Sequence, residues 1–240
     1  MGGRALGRWV SVCPMHVISV NVGRAAPSEH TDSPGGLTGI GKRPVAGPVR
    51  VAAPGPRGVG GSGVEGDAIG DLRHHGGDHQ AVYAYAREDL DWWEAELARE
   101  LPGGIFGENL TTAGIDLTGA LLGERWLVGT EAVLEVASAR IPCRTFQGVL
   151  GERAWVKRFT GAVRPGAYLR VVREGRISPG DPIEVVGRPD HDVTVGLWFR
   201  AFTTERELLP RTLAAGAAMD PKAREKAQAY LRKQATVAAG

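Results

Sequence analysis

A strand-rich α+β fold, a barrel or compact sheet with a small helical tail, is what the sequence predicts. Three observations point to it. Short β-patterned runs are separated by glycine and proline turns through the first 188 residues. Of 35 glycines, 15 lie between Gly23 and Gly77 while three follow Pro189, so a turn-rich front gives way to a different back. Beyond Arg188-Pro189, apolar residues recur at helical spacing.

In chain order, His16–Val22 alternates as a strand, and Val49–Ala53 reads as another bounded by proline and glycine. Pro54–Gly63 is glycine-rich and reads as a flexible excursion or lid. From about His79 to Leu101, Val82, Ala86, Leu90, Trp93, Leu97 and Leu101 step by three and four, predicting one long helix with Asp78 as N-cap and Pro102-Gly103-Gly104 as its stop. Tyr85, Trp92 and Trp93 read as its core-facing aromatics. Strands are predicted at Arg125–Val128, Ala132–Ala137, Tyr168–Val172 and Ile183–Val186, the last after the turn Pro179-Gly180-Asp181. Three tail helices follow near Thr194–Phe202, Glu205–Ala215 and Asp220–Gln234. Asp220-Pro221 supplies an N-cap with proline in the first turn. The division expected is an extension at 1–14, not native or disordered, a domain at 15–188 and a helical unit at 189–240.

Composition narrows the function. Glycine plus proline is 50 of 240 residues, below the roughly 25 to 30% of low-complexity chains. A net charge of +2 leaves no global field for a nucleic acid polymer or an anionic membrane, and no apolar run is long enough to span a bilayer. The basic face of the last helix, with Lys222, Arg224, Lys226, Arg232 and Lys233, reads as solvated. Pro14 and His16 interrupt the apolar run that loosely imitates a signal peptide, so a cytoplasmic location is expected. Two cysteines, Cys13 and Cys143, cannot build a disulfide framework or a four-cysteine metal centre.

Three clusters carry chemistry. In Asp71–His79, with Asp67 ahead of it, His75 and His79 stand four apart and His74 adjoins; together with the aspartates these suit a divalent-metal hydrolase, although Gly76-Gly77 breaks any shared helical face. In Phe106–Gly114, glycines bring backbone near a ligand while Asn109, Thr111 and Thr112 offer amide and hydroxyl groups; a capped turn explains the segment equally well. In Ala139–Phe146, Arg140 and Arg144 flank Cys143, and Pro142 stiffens the approach to it; the alternatives are a soft metal ligand and a buried structural cysteine. No Gly-x-Ser-x-Gly elbow, phosphate loop or dinucleotide fingerprint is present.

The ordered motifs Gly41-Lys42, Gly66-Asp67, His75-Gly76-Gly77 with Gln80–Tyr83, Phe106–Leu110, Gly123-Glu124 and Arg140-Ile141-Pro142-Cys143 resemble the MOSC family, named for the molybdenum cofactor sulfurase C-terminal domain. The tail from Asp192 resembles the three-helix addition of the family's YiiM-like branch. The resemblance implies a MOSC β-barrel, a molybdenum cofactor (Mo-molybdopterin), and two-electron reduction of N-hydroxylated compounds such as N-hydroxylaminopurines. It implies Cys143 as molybdenum ligand, with Lys42, Arg73, His75, Asn109, Thr111, Thr112 and Arg140 at or beside cofactor-binding positions. His75, then His79, are the candidate proton donors, since histidine ordinarily titrates near neutrality. Without a four-cysteine extension or a flavin or nicotinamide fingerprint, electrons are expected from a separate reductase, and the tail helices leave a homodimer open. Other function classes that fit are a non-redox cofactor or sulfur carrier, the metal hydrolase, and a non-catalytic binding module.

Overall fold

A computed structural model describes residues 14–238; the expected extension, except for Pro14, and Cys13 lie outside the described residues. Twelve strands occur among them: β1 His16–Gly23, β2 Ala26–Pro27, β3 Leu37–Thr38, β4 Lys42–Pro44, β5 Val49–Val51, β6 Val82–Ala86, β7 Leu110–Ala113, β8 Arg125–Val128, β9 Ala132–Ala139, β10 Ala167–Arg173, β11 Gly175–Ile177 and β12 Ile183–Gly187. Eight of these form one sheet in the order β12-β8-β9-β10-β6-β7-β1-β4; β11 pairs with β5, and β2 with β3. Backbone bonds from Val17 N–H to Asp181 O (2.9 Å) and Ile183 N–H to Met15 O (2.8 Å) also link the start of β1 to the start of β12, curling the sheet toward its own far edge. Strand β9 is buried along almost its whole length, because both faces of the sheet are covered there.

The expected helix over His79–Leu101 is corrected. Its first half is the single turn Asp78–Gln80 and then β6, which pairs antiparallel with β10 and parallel with β7; only α1, Arg87–Leu97, is helical. Val82 and Ala86 satisfy a helical step by coincidence, whereas all five residues of Val-Tyr-Ala-Tyr-Ala are buried and the tyrosine hydroxyls donate to Pro165 O and Arg164 O at 2.8 Å. Two aromatic residues in a segment closed between neighbours on either side favour the strand. Asp78 caps no long helix: its carboxylate accepts from Gly55 N–H at 2.9 Å. Trp93 and Tyr85 are core residues as expected, but Trp92 is 37% exposed under the guanidinium of Arg164.

Pro54–Gly63 is not a free excursion. Gly77 N–H donates to Gly61 O (3.0 Å), Asp78 N–H to Gly55 O (2.9 Å) and Gly63 N–H to Ala81 O (2.8 Å), so the loop backs the histidine segment. Gly76, at φ 79°, permits this approach: a Cβ there would meet Gly61 O at 2.7 Å. Two helices were not apparent in the sequence, α2 Arg144–Leu150 and α3 Trp155–Ala162; Phe146, Trp155 and Phe159 from them pack with Phe106 and Trp93 in one aromatic cluster.

The tail comprises α4 Val195–Thr203, α5 Leu209–Thr212 between short turns, and α6 Pro221–Ala238. Thr194 caps α4 by accepting from Leu197 N–H (3.0 Å), and Asp220, the expected cap, accepts from Lys222 N–H (2.9 Å). Val195, Phe199, Leu209, Met219 and Ala227 continue the core of the sheet into the tail.

Candidate functional site

A cavity of about 430 Å³ opens among the strand ends and the loops that follow them, a size suited to a small-molecule or cofactor site. Lys42 begins β4, Tyr83 lies on β6, Asn109 immediately precedes β7, Tyr168 lies on β10 and His75 sits in the loop before β6. Arg140 directly follows β9; Pro142 then leads to Cys143, whose extended backbone (φ −127°, ψ 171°) starts α2. Five segments far apart in sequence therefore meet around one half-buried thiol.

Arg140 is the unusual element. It is 6% exposed, its guanidinium lies 4.4 Å over the Phe146 ring and 5.2 Å from the Tyr83 ring, and its Nε has no hydrogen-bond partner. No carboxylate pairs with it among the described residues. A buried cation held by π faces, with a donor unspent, is prepared for an anion. Lys42 differs: it is buried against Asp67, which also accepts from Gly23 N–H (2.7 Å) and Asn109 Nδ2 (2.9 Å). Burial pushes the Lys42 ammonium down, Asp67 opposes this, and Arg140 adds to it.

Asn109 lines the cavity, but its amide is spent on architecture: Oδ1 accepts from Tyr83 N–H (3.1 Å) while Nδ2 serves Asp67 and Asn21 O. Thr111 and Thr112 are not at the cavity. They are fully buried in β7, where Thr111 bonds Asn21 Nδ2 (3.0 Å) and Glu108 Oε1 (3.1 Å), and Thr112 Oγ1 has no partner. Their segment is a strand rather than an open ligand loop, so its hydroxyls turn into the sheet's interior. Glu108, part of the Phe106–Leu110 motif but given no role there, clamps the preceding turn by accepting from Gly104 N–H (2.6 Å) and Phe106 N–H (3.0 Å). Burial raises its pKa, against those bonds. Arg73 also lies off the cavity; it forks onto Asp71 (2.9 and 2.7 Å), whose carboxyl is thereby held down to about 2.

His75 lines the cavity, but not as a group that titrates near neutrality. Burial first, then Arg140, pushes its pKa down to about 4. His79 lies instead in a neighbouring cleft and is also lowered by burial. Gly76 and Gly77, both at positive φ, turn the chain between them, so the two rings share no helical face. Among the described residues no three histidine, cysteine, aspartate or glutamate side chains converge as metal ligands.

The MOSC domain profile matches residues 71–184. The chain is 34% identical over 179 residues to the uncharacterized protein YflK of Bacillus subtilis, covering 75% of this chain and 76% of that one. The chain belongs to the MOSC domain family. The MOSC protein is also 31% identical over 118 residues to a Gibberella moniliformis protein named reductase, of which the match covers 21%. The crystal structure of YiiM from Geobacillus stearothermophilus superposes with a TM-score of 0.71 at 28% identity, over 90% of this chain and 98% of that one, giving the same strand-rich α+β architecture.

MOSC domains are associated with molybdenum cofactor binding, and the residues present fit that group. Cys143 offers a soft sulfur ligand at the cavity. Arg140 offers positive charge to a phosphate-bearing pterin and its partnerless Nε is a donor awaiting an acceptor, whereas the Lys42 ammonium lines the cavity already paired with Asp67. Gly107 keeps the wall open: a Cβ there would stand 2.9 Å from Ile40 and 3.3 Å from Arg140 Nη1.

Proposed function

We propose that this MOSC protein is a molybdenum-cofactor-dependent reductase of N-hydroxylated compounds, N-hydroxylaminopurines among them. The observation that carries this reading is the convergence of Cys143 with the buried, unpaired Arg140 on one cavity. The bound cofactor supplies two-electron removal of the N–OH oxygen: R–NHOH, two electrons and two protons give R–NH2 and water. Cys143 would hold the metal through its thiolate, and Arg140 would balance the negative charge introduced, since Lys42 is already paired with Asp67. His75 is uncharged at neutral pH in the cofactor-free protein. Negative charge in the cavity opposes the effects of burial and Arg140, raising its proton affinity so that it can retain a proton for the departing oxygen. Electrons come from a separate reductase.

The test is metal analysis of protein made in a host that synthesises the cofactor, with wild type beside Cys143→Ala. Stoichiometric molybdenum in the wild type and its loss in the variant are expected, together with reduction of 6-hydroxylaminopurine by the chemically reduced holoenzyme. Molybdenum retained by Cys143→Ala would overturn the ligand assignment. A molybdenum-loaded wild type that reduces no N-hydroxylated compound would overturn the reductase reading in favour of a cofactor carrier.

A further inference from the structure

His74, His75, Gln80, Ile141 and Tyr168 line a second cleft as well as the cofactor cavity, so the two spaces share a wall. The second cleft, about 270 Å³, is closed on its far side by the helical tail: Trp198 and Phe202 from α4, and Asp220, Lys222 and Lys226 from the cap and first turns of α6. Seven buried side-chain polar atoms among the described residues lack both a hydrogen-bond and an ion-pair partner, and four of them belong to residues of this cleft: Arg57 Nε, His79 Nε2, Gln80 Oε1 and Trp198 Nε1. Leaving such groups unpaired is costly, and gathering them in one place points to a polar ligand on which the lining side chains close.

The charge indicates which ligand. Arg57, Lys222 and Lys226 face one carboxylate, Asp220, and Arg57 reaches it only at 4.0 Å. Neither lysine pairs with a carboxylate among the described residues; Lys226 instead stands 5.3 Å over the Phe202 ring. Of the partnerless atoms, Arg57 Nε and Trp198 Nε1 are obligate donors. The Trp198 and Phe202 rings, stacked at 4.3 Å and 19°, give the cleft a flat apolar side. Excess positive charge, spare donors and an aromatic wall together suit a planar ring that carries an oxyanion.

We propose that this cleft is the substrate's own subsite and that it selects N-hydroxylated ring compounds bearing a phosphate or carboxylate. Lys222 and Lys226, with Arg57, take the oxyanion. The ring rests against the Trp198–Phe202 side, and the N–OH group reaches across the His75–Tyr168 wall toward the cofactor cavity. The proposal rests on the reductase reading and adds to it the substrate's charge. It also gives the basic face of α6, expected to be merely solvated, a role at its first two lysines.

The test uses the holoenzyme, so that the cofactor's own phosphate fills the first cavity. Adenosine 5′-monophosphate, adenosine and adenosine 5′-carboxylate are titrated calorimetrically. The monophosphate is expected to bind about tenfold tighter than adenosine, equivalent to about 1.4 kcal/mol, and Lys222→Ala/Lys226→Ala is expected to erase that preference. Both lysines are exposed on a helix, so the double variant folds. Tight binding of the carboxylate as well assigns the cleft to oxyanions in general; tight binding of the monophosphate alone assigns it to phosphate. Equal affinity for monophosphate and adenosine, or a preference that survives the double variant, overturns the proposal. In turnover, the double variant is expected to raise KM for 6-hydroxylaminopurine riboside 5′-monophosphate about tenfold while leaving kcat and the free-base KM unchanged. An equal rise in KM for the free base would overturn the assignment of the lysines to the oxyanion. If the holoenzyme reduces neither compound but the binding preference and its loss stand, the reductase reading fails and the anion cleft survives. If both are reduced without preference, the reverse holds.

Discussion

Replacing His75 with glutamine isolates one electrostatic effect whose size follows from the site. In the unfolded chain this histidine titrates at its ordinary value of 6.5, and in the folded, cofactor-free protein at about 4. A depressed histidine pKa means that the unfolded state binds the proton more readily. The resulting stability is present above pH 6.5 and is lost as pH falls toward 4. The difference between the two titrations amounts to about 2 kcal/mol between roughly pH 8 and pH 5, and about 3 kcal/mol by roughly pH 3. The edge of the ring that faces the cavity keeps some solvent contact, so these are upper figures. Urea unfolding of cofactor-free wild type and His75→Gln at matched pH values reads the effect directly. Wild type is expected to lose about 2 kcal/mol more than the variant over the first interval, since all other titrating groups are common to both. Parallel stability profiles would refute the assignment of the depressed titration to His75.

Asp67→Asn removes the carboxylate paired with buried Lys42, and a loss of about 3 to 5 kcal/mol is expected in denaturant melts because an uncompensated charge stays inside. Gly107→Ala places a Cβ 2.9 Å from Ile40 at a backbone φ of 77°; a cost of about 1 to 3 kcal/mol in thermal unfolding and a drop in bound molybdenum are expected together. Arg140→Lys keeps the charge but loses the planar group lying 4.4 Å over Phe146, so the molybdenum content of the purified protein is expected to fall about tenfold while its secondary structure, read by circular dichroism, stays unchanged.

Local patterns made much of the fold legible. The strands at His16–Gly23, Arg125–Val128, Ala132–Ala139 and Ile183–Gly187 lie where alternation and turn residues place them, and the last tail helix begins at the Asp220 cap visible in the sequence. The misread elements have one cause. Val82–Ala86 and Leu110–Ala113 are short strands paired side by side, and neither carries a local signal stronger than the helical step or the polar loop it imitates. Their identity comes from each other and from strands far away in the chain, β10 beside the first and β1 beside the second. The same holds at the site. Cys143, Arg140, Lys42, His75 and Asn109 were singled out and do meet at one cavity, while Thr111 and Thr112 were drawn in by hydroxyls that strand pairing turns inward.

By itself the sequence determined the inventory: a lone candidate thiol between arginines, glycines where the chain must turn with positive φ, a near-neutral charge, and an ordered set of motifs that mark the family. These are properties of residue type and short-range spacing, which survive without coordinates. Only the tertiary structure decided what each member does. Arg140 is an anion-ready cation because Phe146 and Tyr83 close on it and no carboxylate among the described residues does; Lys42 is not, because Asp67 already answers it. His75 loses its neutral-range titration through burial beside Arg140, and the two lysines at the start of α6 acquire a cleft because the tail folds back against the sheet. Desolvation and charge act through space, so the function of a titratable residue depends on neighbours that its own stretch of chain does not contain.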